Sequence, residues 1–126
     1  MKTIINTSSA PAPIGPYSQA VIANGFLFVS GQVAINPENN EVNLTTIAEE
    51  THQVMRNIKA VLLEAAYEFD HIVKTTIFLS DMDLFAEVNE VYGSYFESAF
   101  PARETVAVKG LPKGVNVEIS VTAFKA

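Results

Sequence analysis

The sequence predicts one α+β domain, spanning residues 1–126, with two helices packed on one face of a single mixed or antiparallel sheet. Three observations support this fold class. Two stretches carry apolar residues at helical spacing, the other apolar stretches are short and strand-like, and an Asn-Gly pair separates two of the latter. The length suits one domain with a substantial core.

The amino-terminal part predicts short strands and a hairpin. Thr3–Ile5 forms the first strand, and the Pro-rich segment 7–16 keeps the following chain extended. The strands Gln19–Ile22 and Phe26–Ser30 are separated by the Asn-Gly pair, which favours a hairpin because both turn positions need positive φ. The second strand of this hairpin is apolar on both faces, which is typical of a strand covered on both sides.

The central part predicts a helix and a strand. Thr46 and Glu49 are spaced as in a capping box, and the helical apolar spacing that follows ends near Tyr67. A β-branched run at Ile72–Leu79 then predicts a strand.

The carboxyl-terminal part predicts a second helix and two more strands. The helix begins at residues 80–83 and is ended by Pro101. The strands Glu104–Lys109 and Val115–Phe124 are joined through the Gly- and Pro-containing link 110–114, so we expect a second hairpin.

Composition excludes several functional classes. The chain has no cysteine and only two histidines, which excludes disulfide scaffolds, thiolate nucleophiles and three-histidine zinc centres. A net charge of −6, with scattered Lys and Arg, argues against nucleic acid as a main partner. No apolar run is long enough to span a membrane. We therefore expect a soluble, cytoplasmic protein.

The sheet is expected to need more cover than this chain supplies. Two helices can cover one face, whereas the hairpin strand is apolar on both. The other face is therefore predicted to pack against further subunits.

Two charged residues are the main candidates for chemistry. Arg103 lies between a helix end and a strand start, and its guanidinium could bind a carboxylate through two parallel hydrogen bonds. The alternative is a solvated arginine, or one paired with Glu97 or Glu104. Glu118 lies on the polar side of an alternating strand, which is either a solvated face or the wall of an intersubunit cleft, where burial would raise its pKa.

Weaker candidates flank the first hairpin. Tyr17 is either a rim-packing aromatic or a ligand contact, and Ser30 is either a strand-end turn residue or a ligand contact. Gly31 permits close approach of a neighbouring chain or a ligand. His52 is expected on the helix surface, and the Glu49-Glu50 pair is interpreted only as a favourable helix N-terminus.

Six segments in register resemble the RidA/YjgF family over nearly the whole chain, from about Ile5 to Ala123. They are Gly15-Pro16-Tyr17-Ser18-Gln19-Ala20, Val29-Ser30-Gly31-Gln32, Val88-Asn89-Glu90-Val91-Tyr92, Pro101-Ala102-Arg103, Leu111-Pro112 and Val117-Glu118-Ile119.

This resemblance implies a chorismate-mutase-like fold, a homotrimer with active sites between subunits, and no metal or cofactor. It also implies hydrolysis of 2-iminobutanoate and 2-aminoacrylate (2-iminopropanoate) to 2-oxo acids and ammonia. By position, Arg103 would bind the substrate carboxylate and Glu118 would place the attacking water. Substrate contacts are implied for Tyr17, Ser30, Gly31, Asn89 and Thr105.

The chain departs from the family pattern at three positions. Thr105 stands where many members carry cysteine, so chemistry based on a thiol is excluded. Asn40 replaces a frequent glycine in a turn, which is a mild change because asparagine tolerates left-handed φ. Tyr67 replaces a frequent glycine after the first helix, so we expect a different helix ending there.

Two other functions stay open at this point. A binding or regulatory module could use the same cleft to sense 2-oxo or amino acids without useful turnover. An RNA-directed ribonuclease or translation inhibitor is disfavoured by the acidic charge and the absence of a basic stripe.

Overall fold

In the computed structural model, which describes residues 1–126, the strands form one mixed six-stranded sheet. The strands are β1 (Thr3–Ile5), β2 (Ala20–Ala23), β3 (Phe26–Gln32), β4 (Ile72–Leu79), β5 (Ala102–Ala107) and β6 (Val117–Phe124). The α-helices are α1 (Ile47–Glu64) and α2 (Phe85–Gly93). The predicted α+β class, with two helices on one mixed sheet, is confirmed.

The strand order is β1-β2-β3-β6-β4-β5, and only the β4–β5 pair is parallel. The hairpin predicted between the last two strands is therefore wrong, because β4 lies between β5 and β6. After β4 the chain crosses over through α2, which places β5 parallel to β4 at the sheet edge. The 110–114 link then carries the chain past β4 to its other side.

The first hairpin is confirmed. β2 and β3 pair antiparallel across the Asn24-Gly25 turn, and both turn residues have positive φ, at 52° and 84°. Along β3, Leu27 and Val29 are buried against the helices, whereas Phe26 and Phe28 are exposed on the other face. One face of the sheet thus carries the core, and the other is open.

Helix α1 begins as predicted, with the Thr46 hydroxyl accepting a hydrogen bond from the Glu49 amide at 3.0 Å. It ends at Glu64, a little before the expected Tyr67. Ala66 takes the left-handed conformation, with φ of 64°, and Tyr67 turns into the core and donates its hydroxyl to the Gly25 carbonyl. The helix ending thereby supports the first hairpin turn.

Helix α2 is shorter than predicted. A 3₁₀ turn at Met82–Leu84 precedes it, capped by the Asp81 side chain. The helix ends at Gly93, well before Pro101, so the prediction that Pro101 ends it is wrong. The apolar spacing beyond Gly93 belongs to a turn that places Phe96 in the core.

No helix of the protein is both long and apolar enough to cross a membrane.

Candidate functional site

An irregularity in β3 shapes the first part of the candidate site. Val29 pairs with Val121 and Gln32 with Ile119, so Ser30 and Gly31 together stand opposite Ser120 alone. The Ser30 hydroxyl donates to the Ser18 carbonyl at 2.6 Å, which ties this bulge to the segment preceding β2. Bulges of this kind re-aim side chains, and this one leaves room for a neighbour on β6.

That neighbour is Glu118. A Cβ added to Gly31 would lie 2.5 Å from Glu118 Oε2, so the carboxylate occupies the space that a side chain at position 31 would fill. Burial raises the pKa of the Glu118 carboxyl above its ordinary value. The structure therefore favours a half-buried carboxylate over a fully solvated strand face.

Glu118 opens into a cavity of about 420 Å³. Three more of the predicted site residues, Tyr17, Ser30 and Gly31, line the same cavity. We call it the Glu118 cavity. Its remaining lining is mixed, with an apolar part from the Pro-rich segment and from residues after β3, and one cation, Lys113. Lys113 itself has a left-handed backbone, with φ of 57°.

Arg103 lies on the opposite side of the sheet. Its register partner on β4 is Thr75, which is buried beneath the helices, so the Arg103 side chain points to the helix face. The guanidinium carbon lies 5.6 Å from the Phe85 ring centroid and 5.4 Å from that of Tyr92, both on α2. Asn89 accepts a hydrogen bond from Arg103 Nη1 at 2.5 Å.

These contacts settle how Arg103 is held. Its partner is Asn89 rather than either of the acids considered from sequence, and Glu104 pairs instead with Lys74 at 3.4 Å. A neutral partner leaves the positive charge available for an anion. Arg103, Asn89 and Tyr92 line a second cavity of about 430 Å³, here called the Arg103 cavity.

Tyr92 lines the second cavity and is held in place by a hydrogen bond. Its hydroxyl donates to the buried Thr75 hydroxyl at 2.9 Å. Burial raises the pKa of the Tyr92 phenol, against smaller lowering effects of the Thr75 bond and the Arg103 charge. The ring is therefore a fixed neutral surface beneath the guanidinium.

Thr105 follows Arg103 by two residues, so both side chains share the helix face of β5. Its Oγ1 is buried and has no hydrogen-bond partner. A buried hydroxyl normally has a hydrogen-bond partner, so the Thr105 hydroxyl is free to donate to a ligand bound beside Arg103.

The predicted site residues therefore form two groups on one chain. Tyr17, Ser30, Gly31 and Glu118 share the Glu118 cavity, whereas Asn89 and Arg103 share the Arg103 cavity with Thr105 nearby on the same strand face. One subunit does not bring the two groups together, because the sheet separates them.

Two buried or half-buried polar contacts differ from what the sequence predicted. Glu50, interpreted only as a favourable helix end, is fully buried and accepts three hydrogen bonds from the start of β6. His52, expected on the surface, is half-buried, with Nδ1 2.7 Å from the Tyr95 hydroxyl. The apolar neighbours of Glu50 at helical spacing were a signal that its position faces the core. No group of three or more His, Asp or Glu side chains is arranged to hold a metal ion.

Curated relatives match this chain along nearly its full length. A RutC family protein of Pyrococcus horikoshii is 48% identical over 125 residues, covering 99% of each chain. The human 2-iminobutanoate/2-iminopropanoate deaminase is 40% identical over 125 residues, covering 99% of this chain and 91% of the human one. A protein of Lactococcus lactis, named as the candidate regulator AldR, is 49% identical and covers 95% of each chain.

Solved structures match as closely. The Rid family protein YyfA of Yersinia pestis, described as of unknown function, is 48% identical with a TM-score of 0.97, covering 99% of this chain and 100% of that one. TdcF of Escherichia coli, solved with bound serine, is 35% identical with a TM-score of 0.94, covering 98% and 99%.

The family model described as Endoribonuclease L-PSP matches residues 7–125. Together with the relatives named RutC and Rid, this match shows that the chain belongs to the YjgF/RidA/RutC family.

Proposed function

We propose that this protein hydrolyses 2-imino acids, such as 2-iminobutanoate and 2-iminopropanoate, to 2-oxo acids and ammonia at sites shared between the subunits of a homotrimer. The observation that carries the proposal is the presence of two complementary groups, one on each face of the sheet. Arg103 has a charge that no acid neutralises, and Glu118 has a half-buried carboxylate facing a cavity.

Arg103 supplies the substrate anchor. Its guanidinium is held by Asn89 from one side and by the rings of Phe85 and Tyr92. Nη1 is engaged by Asn89, and the donors left over can bind a carboxylate. Such preorganisation lowers the cost of fixing a small planar ligand. The unpaired Thr105 hydroxyl adds one further donor beside this anchor.

Glu118 acts on the water. The carboxylate accepts a proton from water as the oxygen attacks the carbon of the protonated imine, and the C=N π electrons move to nitrogen. Glu118 then returns this proton to the amino group of the resulting carbinolamine. The C–N bond breaks, ammonia leaves with the bonding electrons, and the hydroxyl proton passes to water as the C=O bond forms. Because the pKa of the Glu118 carboxyl is raised toward neutral pH, this group is a better proton acceptor and donor than an ordinary glutamate.

The two groups require a second subunit to meet. Arg103 and Glu118 point to opposite faces of one sheet, so a site that uses both must join the Arg103 cavity of one subunit to the Glu118 cavity of another. The exposed rings of Phe26, Phe28 and Phe124 on the open face favour such an assembly.

Relatives support the chemistry. The human homologue carries the deaminase name, and TdcF binds serine, a small molecule with a carboxylate. A ligand of this size and charge fits the anchor described above.

The first test is a coupled assay. Threonine dehydratase generates 2-iminobutanoate in the presence of semicarbazide, which traps the imine as an absorbing semicarbazone. We expect the native protein to reduce semicarbazone formation and Arg103→Ala to leave it unchanged. Equal semicarbazone with and without the native protein would refute deaminase activity.

The second test addresses the shared site. Arg103→Ala and Glu118→Gln are each expected to be inactive, but co-refolded mixtures should regain activity in sites that combine an intact residue from each subunit. In a cyclic trimer with random 1:1 mixing, about one quarter of the sites are restored. A mixture as inactive as its components would contradict a shared site.

A regulatory binding module is the second candidate, favoured by the similarity to the Lactococcus lactis protein named for regulation. The discriminating result is tight 2-oxobutanoate binding by calorimetry without any turnover in the semicarbazide assay. An RNA-directed activity is disfavoured by the net charge of −6, and absence of RNA binding at low salt would remove it.

A further inference from the structure

Glu50 has no part in the chemistry proposed above, yet it is the only fully buried carboxylate of the protein, with 0% of its surface exposed. Its Oε2 accepts hydrogen bonds from the backbone amides of Asn116, at 2.7 Å, and Val117, at 3.0 Å. Its Oε1 accepts a third from the Asn116 side-chain amide at 2.9 Å. All three donors lie directly before Glu118.

The strand pairing explains why β6 needs this support. β3 ends at Gln32, which pairs with Ile119, so the residues before Ile119 have no strand-pairing partner on β3. β4 continues on the other side, where the Ser80 amide donates to the Asn116 carbonyl. The Glu50 carboxylate therefore takes the place of a strand as the acceptor for the amide of Val117, the first residue of β6, and for that of Asn116 just before it.

We infer that Glu50 is a positioning residue for Glu118: its carboxylate holds the peptide groups of Asn116 and Val117 and thereby keeps the Glu118 side chain over Gly31. This inference rests on the proposed function for its catalytic consequence, but the position of Glu118 can be measured without turnover. Loss of the Glu50 carboxylate frees the start of β6 and lets the Glu118 carboxylate move toward water.

The donor pattern makes glutamine a poor substitute. All three partners of Glu50 are N–H groups, so a carboxylate accepts from each of them. A glutamine of the same size turns an NH₂ group toward one or more of these donors and leaves it unpaired. The exposed neighbour Glu49 offers a matched control, because Glu49→Gln makes the same chemical change one residue away.

The experiment compares Glu50→Gln, Glu49→Gln and the native protein. The Glu118 carboxyl carbon is followed by NMR against pH, with Glu118→Gln used to assign the signal. Tyr17 and Lys113 line the same cavity, and Lys74 and Glu104 pair elsewhere on the open face, so the Glu118 signal itself must be read rather than a whole-protein titration. In parallel, kcat and 2-oxobutanoate binding are measured.

We expect Glu50→Gln to lower the Glu118 pKa toward its ordinary value and to reduce kcat about ten- to a hundredfold, as displacement of a reacting group by about 1 Å can do. Binding of 2-oxobutanoate should stay within about threefold of native, because Arg103 lies on another face of the sheet. Glu49→Gln should match the native protein in all three measurements.

An unchanged Glu118 titration in folded Glu50→Gln would overturn the inference, whatever happens to activity. A native protein without turnover would refute the proposed function alone, since the Glu118 titration would still report on Glu50. If Glu50→Gln does not fold, Asn116→Ala keeps both backbone amides on Glu50 and removes the side-chain donor to Glu50 Oε1, together with the acceptor of the Ser80 hydroxyl. It should move the Glu118 pKa in the same direction by a smaller amount, and no movement there would overturn the inference.

Discussion

The Glu118 carboxylate lies directly over Gly31, in the space where any larger residue would place its Cβ. A Cβ at Gly31 would be 2.5 Å from Oε2 and 2.8 Å from Cδ of Glu118. The family resemblance implies a ligand contact at Gly31, and the structure adds a second reason for a glycine there. The absence of a side chain at position 31 lets the carboxylate fold back beside the sheet instead of extending into water.

Gly31→Ala should therefore displace Glu118 with little loss of stability. Gly31 lies outside the left-handed region, so alanine brings no backbone strain, and the atoms it meets are the flexible end of one side chain. We expect kcat to fall at least about tenfold while the free energy of unfolding changes by less than about 1 kcal/mol. Gly110→Ala is the control, since nothing lies within 4 Å of its added Cβ. Equal activity of both variants would contradict the packing role of Gly31.

Arg103→Lys should keep the charge but lose the planar fork. We expect 2-oxobutanoate binding to weaken by more than about tenfold, since an ammonium cannot donate two parallel hydrogen bonds to one carboxylate. The melting temperature should stay unchanged because Arg103 is exposed and fills no core volume. Calorimetry measures the binding, and Arg56→Lys, an exposed helix arginine outside both cavities, is the control. Native-like affinity of Arg103→Lys would show that charge alone anchors the ligand.

Glu118 should set the acidic limb of the pH–rate profile. Because the proton acceptor must be ionised, kcat falls as pH decreases through the raised pKa of Glu118, at a higher pH than an ordinary glutamate would give. Glu118→Gln should bind 2-oxobutanoate but lose at least about a hundredfold in kcat. A loss of binding that parallels the loss of turnover would point to a structural role.

The same pKa shift has a consequence for stability. A carboxyl whose pKa is raised on folding favours the folded state below its unfolded pKa, and this contribution is lost as pH rises through the folded value. Glu118→Gln should therefore be more stable than the native protein at neutral pH, and the difference should shrink in acid. Urea unfolding at several pH values measures it, and a constant difference would contradict burial of the charge.

Thr105→Val tests the unpaired hydroxyl. Replacing a buried hydroxyl that has no partner with a methyl group of similar shape should raise the free energy of unfolding by about 1 kcal/mol. If the hydroxyl donates to the ligand, 2-oxobutanoate affinity should fall at the same time. Thr105→Ser keeps the hydroxyl and should retain affinity. Higher stability with unchanged affinity would leave only the backbone of Thr105 in contact with the ligand.

Much of the secondary structure could be predicted from the sequence because its causes are local. The Thr46 cap, the positive φ at the Asn-Gly turn and the alternation along β6 each depend on residues a few positions apart. Asn40 also adopts the left-handed φ, at 61°, that its turn position suggested. The end of α2 was mispredicted because apolar spacing continued past it, into residues that tertiary packing places in a turn.

The α+β class, the first hairpin, and the residue types available for binding a carboxylate and activating water follow from local features of the sequence. Three features emerge only in the folded chain: β4 separates the last two strands, Arg103 and Glu118 face opposite sides of the sheet, and Glu50 holds the start of β6. The reason is physical: these outcomes depend on strand pairing and hydrogen bonds between residues far apart in the chain, such as Glu50 and Asn116. No local pattern specifies which distant donor a buried carboxylate will meet.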